Sequence, residues 1–343
     1  MSRKSLSHLW QPTFERDSRC IPSGSTMLNL ALSENPFGGW FRGKIVNIIG
    51  DTHAGKTMLL WLTLAETTSL EYFDKYKLYY DDIEEALEFD IGHLFGSKVV
   101  KRAFYGNRFE SSGTIEEMFG RVRKKLKKET FIYGVDTLDA LESKREVKRT
   151  DDQLGQQAFP DKPRILSDLF KNTKKRIRKS DSLFFIVSQA KSNIGVMFGP
   201  KQRRACETPL NFYSTYVLWL AVRTQIIRRG KQVGSIVRIR ITKNKVTGKQ
   251  RFIELPIYYE LGIDDIGSMI RWLVSEKFWK AEKETKGQIG KIKTQGDFID
   301  GSEHKLIRYI EKNNLEDKLR NLVGARWLEV EESLEWDRKR RYK

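Results

Sequence analysis

The residues best suited to chemistry form one short run, Gly50-Asp51-Thr52-His53-Ala54-Gly55-Lys56-Thr57, spaced G-x-x-x-x-G-K-T. Its glycines let successive backbone N–H groups turn toward the β- and γ-phosphates of a nucleotide, and a following helix adds its positive end. Lys56 would set a point charge on those phosphates. The Thr57 hydroxyl would ligate Mg²⁺, whose other ligands come largely from phosphate oxygens and water. Downstream, Phe131-Ile-Tyr-Gly-Val-Asp136 is an apolar run ending in an acid. A strand of that kind holds its carboxylate at the carboxyl edge of a sheet, which places Asp136 beside the same metal. Hydrolysis of ATP also needs a group that orients water. The acids of Asp81-Asp82-Ile83-Glu84-Glu85 supply candidates, and their pattern alone does not choose among them.

These groups require a scaffold. Lys44–Ile49 predicts a strand entering the glycine-framed loop, and Met58–Glu66 predicts the helix that leaves it. Further strands are predicted over 77–80, 130–135, 183–188, 215–222, 236–242 and 251–258. The earlier ones are separated by helical patterns, which implies crossovers and a largely parallel sheet; the later ones follow closely and imply antiparallel pairing at one edge. Arg121–Lys128 and Leu166–Lys179 read as amphipathic basic helices.

The 343 residues suffice for one large α/β domain and a smaller appendage, and 39% hydrophobic residues suit a packed core. A formal net charge of +18 favours a polyanionic partner. Membrane is disfavoured, because no apolar run approaches the roughly 20 residues that span a bilayer. The N-terminus lacks the apolar core of a signal peptide, and Cys20 and Cys206 form neither a disulfide framework nor a metal spacing. A cytoplasmic protein is expected. Composition divides the chain into an arm (1–20), a core (21–280), a linker (281–301) and a helical unit (302–343) with the basic tail Arg338–Lys343.

Five further segments, with Gln189, carry a resemblance. Ile21-Pro-Ser-Gly-Ser-Thr-Met-Leu-Asn-Leu-Ala-Leu, then Gly43-Lys-Ile-Val, leads into the loop. Gln189 is followed by Ile194-Gly195-Val196-Met197-Phe198-Gly199 and, twelve residues on, by Phe212-Tyr213-Ser214. Thr242-Lys243-Asn244-Lys245 comes last. In this order the segments resemble the RecA family of recombinases, over about residues 20–280 and weakly to 335. The resemblance implies an α/β fold: a RecA-like P-loop ATPase core with a largely parallel central sheet, a short N-terminal arm and a small C-terminal helical unit.

It also implies roles. Glu84 matches the glutamate that activates the hydrolytic water, and Gln189 the residue that senses the γ-phosphate and reports it to the second DNA-binding loop. Lys243 and Lys245 match a pair that reaches a neighbouring subunit's ATP. In the loop Lys191–Asn211, the cations Lys191, Lys201, Arg203 and Arg204 would meet phosphates. Ile194, Gly195, Val196, Met197, Phe198 and Gly199 would lie against bases, with Phe212 following; charge plus base contact suits single-stranded DNA. Lys148–Gln157 corresponds poorly to the first DNA loop. The function so implied is a DNA-dependent ATPase that assembles on single-stranded DNA, as a filament rather than a ring, and exchanges strands with a homologous duplex. ATP and Mg²⁺ are its cofactors, and the nucleoid, or a host cytoplasm for a phage-borne version, its location. The alternative is a RecA-family ATPase without strand exchange: a ring motor or a regulatory paralogue. The sequence departs from the pattern in its short arm, in its basic rather than acidic end, and in Cys206-Glu207, which replaces paired glycines. Those two residues should stiffen the loop.

Overall fold

The computed structural model describes residues 14–87, 89–105, 111–148, 161–192, 202–282 and 289–338. Its frame is a nine-stranded sheet of β1 (Lys44–Gly50), β2 (Lys77–Asp82), β3 (Ala103–Tyr105), β4 (Phe131–Asp136), β5 (Leu183–Gln189), β6 (Tyr216–Arg228), β7 (Lys231–Asn244), β8 (Arg251–Tyr258) and β9 (Gly262–Ile263). The spatial order is β9-β8-β7-β6-β1-β5-β4-β2-β3. From β6 through β3 neighbours run parallel. From β6 out to β9 they run antiparallel. That is the division the spacing of the apolar runs predicts. Strand β3 was not anticipated; it has three residues and follows a basic helical turn, too short for a periodic signal. The β6–β7 hairpin also outruns its apolar segments, because cross-strand hydrogen bonds carry Arg223–Arg228 beyond the covered part of the sheet.

Successive strand residues point to opposite faces, and each face is covered. Val46 and Ile48 of β1, with Phe185 and Val187 of β5, join α1 (Thr26–Ser33) and α2 (Lys56–Thr68) in one apolar cluster. Ile45, Phe184 and Ile186 point the other way, toward α3 (Ile115–Lys125), α4 (Asp161–Lys179) and α5 (Glu207–Tyr213). The near-continuous apolar strands are therefore those of a helix–sheet–helix sandwich, buried on both sides. Gly134 in β4 lets α2 approach, since a Cβ there would lie 2.4 Å from the Leu60 side chain.

The C-terminal helices α6 (Asp265–Ser275), α7 (Glu303–Lys312) and α8 (Glu316–Ser333) share the first cluster through Met269, Leu273, Leu306, Leu319 and Trp327. Polar contacts tie them down as well. Thr26 donates its N–H and hydroxyl to Asp265 at 2.6 and 2.7 Å, and Glu331 accepts from Lys249 and Arg251. Within 281–301, expected as a linker, Lys280–Ala281 pairs with Ile292–Lys293 in a small ribbon. At the other end of the chain, the Phe14 N–H donates to Asn321 at 3.2 Å, so the described part of the arm rests on α8. Among the described residues no helix is long and apolar enough to cross a membrane.

Candidate phosphate site and its link to a basic loop

Strand β1 ends at Gly50 and α2 starts at Lys56, so the intervening turn lies at the carboxyl edge of the sheet, the edge where α/β sheets bind ligands. Gly50 is confined by its neighbour: a Cβ there would sit 2.6 Å from the Leu220 carbonyl oxygen. Gly55 takes φ 81°, and His53 also adopts a positive φ of 61°. The turn therefore bends through conformations that L-residues pay for. Lys56 is 8% exposed and its Nζ donates to the Asp51 carbonyl at 2.8 Å. Burial pushes its pKa down, against the opposing pull of Asp136 and Glu84. Thr57 Oγ1 donates to Asp136 Oδ2 at 2.6 Å, and the Tyr80 hydroxyl donates to the same oxygen at 3.0 Å. Burial raises the Asp136 pKa while these two donors lower it. A hydroxyl and a carboxylate oxygen in contact are hard donors of the type Mg²⁺ takes, and among the described residues Lys56 has no hydrogen-bonded carboxylate of its own. The residues present fit a Mg²⁺–nucleotide.

The acids that end β2 and follow it part company in the fold. Asp81 is buried and accepts from the Ser112 and Tyr133 hydroxyls, both at 2.6 Å. Asp82 accepts the Leu87 N–H at 3.1 Å, and Glu85 accepts from the Ser111 hydroxyl at 3.1 Å. Glu84 turns toward the phosphate loop. Its Oε1 accepts from Thr137 Oγ1 at 2.6 Å and from Gln189 Nε2 at 2.8 Å. Gln189 stands there because β5 lies next to β1, with Gln189 opposite Gly50 in register. The Ala190 N–H donates to the Gly50 carbonyl at 3.1 Å, which binds the start of the basic loop to the phosphate turn.

Sequence reasoning missed Thr137 and Asp139. Asp139 Oδ2 accepts the Gln189 N–H at 2.9 Å. Burial pushes its carboxyl upward, and the N–H groups of Gln189 and Ala205 oppose that shift. No pattern of apolar spacing points to either residue; only the turn after β4, which brings them under β5, gives them partners.

Of the residues expected at DNA, Ile194, Gly195, Val196, Met197, Phe198, Gly199 and Lys201 lie outside the described residues, as do 149–157 of the poorly matching first loop and 339–343 of the basic tail. Lys191–Ser192 and Gln202–Arg203 pair as antiparallel stems, and Lys191 is exposed. Arg204 differs from expectation. It is 4% exposed, and its guanidinium donates to Asn47 Oδ1 and, at 2.5 Å, to Asn211 Oδ1. Burial lowers its pKa to about 10. In this conformation Arg204 is withdrawn from the surface and braces the loop's return to the core. Cys206 takes φ 52°, the left-handed conformation that paired glycines would adopt freely. Phe212 is 66% exposed.

Lys243 and Lys245 lie far from the phosphate turn. Lys243 pairs with Val217, and the Lys245 N–H donates to the Thr215 carbonyl, beside the start of β1. The ends of β1, Lys44 and Gly50, are about 20 Å apart at ~3.3 Å per residue. Both side chains reach carbonyls at the end of α5, Lys243 that of Asn211 and Lys245 that of Phe212. Burial first, then the Lys245 charge, lowers the Lys243 pKa to about 8. The pair therefore occupies the sheet edge opposite its own phosphate turn.

Glycine-framed turn, acid-ended strand one place removed from it and sandwiched parallel sheet define a P-loop α/β protein. A family model of the RecA N-terminal domain matches residues 2–264. Protein RecA of Legionella pneumophila is 27% identical over 300 residues, covering 84% of this chain and 80% of that protein. Protein RecA of Lactobacillus delbrueckii subsp. bulgaricus is 29% identical over 259 residues, covering 73% and 71%. The chain belongs to the RecA family.

Proposed function

We propose that this chain is an ATP-dependent recombinase that grips single-stranded DNA and exchanges strands with a homologous duplex. The observation that supports it most is the 2.8 Å hydrogen bond from Gln189 Nε2 to Glu84 Oε1. It joins a carboxylate facing the phosphate turn to the residue that opens the basic loop, so occupancy of one is felt by the other. In this reading Gly50–Thr57 cradle the triphosphate, Lys56 offsets its charge, and Thr57 and Asp136 hold Mg²⁺. The metal's part is to neutralise charge on the phosphates. Glu84 orients and deprotonates the attacking water. Lys243 and Lys245 serve a neighbouring copy's nucleotide, which makes assembly head-to-tail and ATP part of the interface. Lys191 and Arg203 at the stems, with Lys201 and the apolar run between them, grip the strand.

Steady-state ATP hydrolysis with and without single-stranded DNA over a salt series tests this, with Lys56→Ala as the blank. Strong stimulation that collapses as salt rises is expected, and Glu84→Gln should keep ATP and DNA bound without turnover. A rate indifferent to DNA would turn the reading toward a regulatory paralogue. Closed rings in electron micrographs with ATP and DNA would turn it toward a motor.

A further inference from the structure

Asp139 has no part in the chemistry assigned above, yet it stands at the neck of the basic loop. Its Oδ2 accepts the Gln189 N–H at 2.9 Å on the outgoing stem. The Ala205 N–H, on the returning stem, also favours its charged form, as does Lys191. Between those residues the stems pair at Lys191–Arg203 and Ser192–Gln202. The Gln189 side chain meanwhile donates to Glu84. Gln189 is thus held twice, at its main chain by Asp139 and at its amide by Glu84. Among the described residues, the buried Asp139 Oδ1 finds no hydrogen-bond partner. A carboxylate serving only its own turn would face solvent or close both oxygens, since an unmatched buried acceptor is costly.

We propose that Asp139 is a positioning residue that couples the phosphate site to the loop stems. By fixing the Gln189 main chain while attracting the returning stem at Ala205, it makes the neck follow any movement of the Gln189 amide at Glu84. The inference rests on the reading that this loop binds single-stranded DNA. Two variants of the full chain test it, Asp139→Ala and Asp139→Asn; the second keeps a carbonyl acceptor for Gln189 and drops the charge. Hydrolysis is measured with and without oligo-dT, and oligo-dT affinity with and without Mg²⁺–ATP. The expected result is an unchanged DNA-free rate, with DNA stimulation cut about tenfold in Asp139→Ala and less in Asp139→Asn. The gain in DNA affinity on adding nucleotide should shrink by a like factor, because coupling between two sites is reciprocal. Full stimulation in both variants overturns the proposal. So does a DNA-free rate that falls together with the stimulated one, since Asp139 would then merely support the catalytic groups. If Asp139→Ala does not fold, Asp139→Asn decides by the same criteria. A parent chain that DNA does not stimulate would instead sink the recombinase reading itself, before any variant is compared.

Discussion

Arg204 and Lys191 look alike in the sequence, two cations flanking an apolar run, and the fold gives them opposite tasks. The Arg204 guanidinium satisfies Asn47 and Asn211 in the interior, so Arg204→Ala should cost about 1–3 kcal/mol by leaving buried acceptors unmatched. Thermal denaturation should show the loss, while the salt dependence of oligo-dT binding stays as it was. Exposed Lys191 should behave inversely: Lys191→Ala leaves the melting curve alone and reduces the salt slope by about one contact. Equal effects in both assays would return Arg204 to the DNA surface. Lys243 carries a pH signature. Its folded pKa near 8 lies below the ordinary 10.5. Between those values the unfolded chain binds a proton that the folded chain has released, so stability rises with pH across that window. Denaturant midpoints at the two ends of the window measure the rise. Lys245→Ala, which removes the nearest like charge, should reduce it, the part due to burial remaining.

At the scale of elements, the apolar runs and the motif spacing foretell the strands that carry the site, because a strand buried on both faces must be apolar throughout. Three-residue β3 and the polar extension of the β6–β7 hairpin escape notice for the converse reason: among the described residues each buries too few apolar side chains, Ala103 in the one and Ile226 in the other, to leave a periodic signal. Gly234 illustrates the second kind of constraint. It pairs with Tyr258, and a Cβ there would lie 2.3 Å from the Ile257 carbonyl oxygen, which is backbone and cannot turn aside. Gly234→Ala should therefore part β7 from β8 and destabilise the chain by about 1–3 kcal/mol. Calorimetry would register a lower melting temperature; an unchanged one would refute the clash.

Across the whole molecule, the phosphate turn and the Lys243–Lys245 pair occupy opposite edges of one sheet. A rigid sheet cannot bring them together, so on the proposed reading they meet only between copies. Mixing equal amounts of Lys56→Ala and Lys243→Ala chains tests this. Each is expected to be inactive alone. In the mixture about a quarter of head-to-tail interfaces pair an intact turn with intact lysines, and a like fraction of the parent ATPase rate should return. No recovery would mean that the lysines act within their own chain or not in the reaction.

The sequence by itself determined the phosphate turn, the acid at the end of β4, the parallel-to-antiparallel order of the sheet and the excess of basic charge. Each of these is local or compositional: a glycine spacing, an apolar period or a count of charges is complete within a short stretch of chain. What holds Glu84 toward the turn, that Arg204 is withdrawn, that Thr137 and Asp139 flank Gln189, and that the lysine pair sits at the far edge were decided only by tertiary structure. Those facts depend on which strands become neighbours and in what register, a property of distant segments meeting that no single stretch encodes.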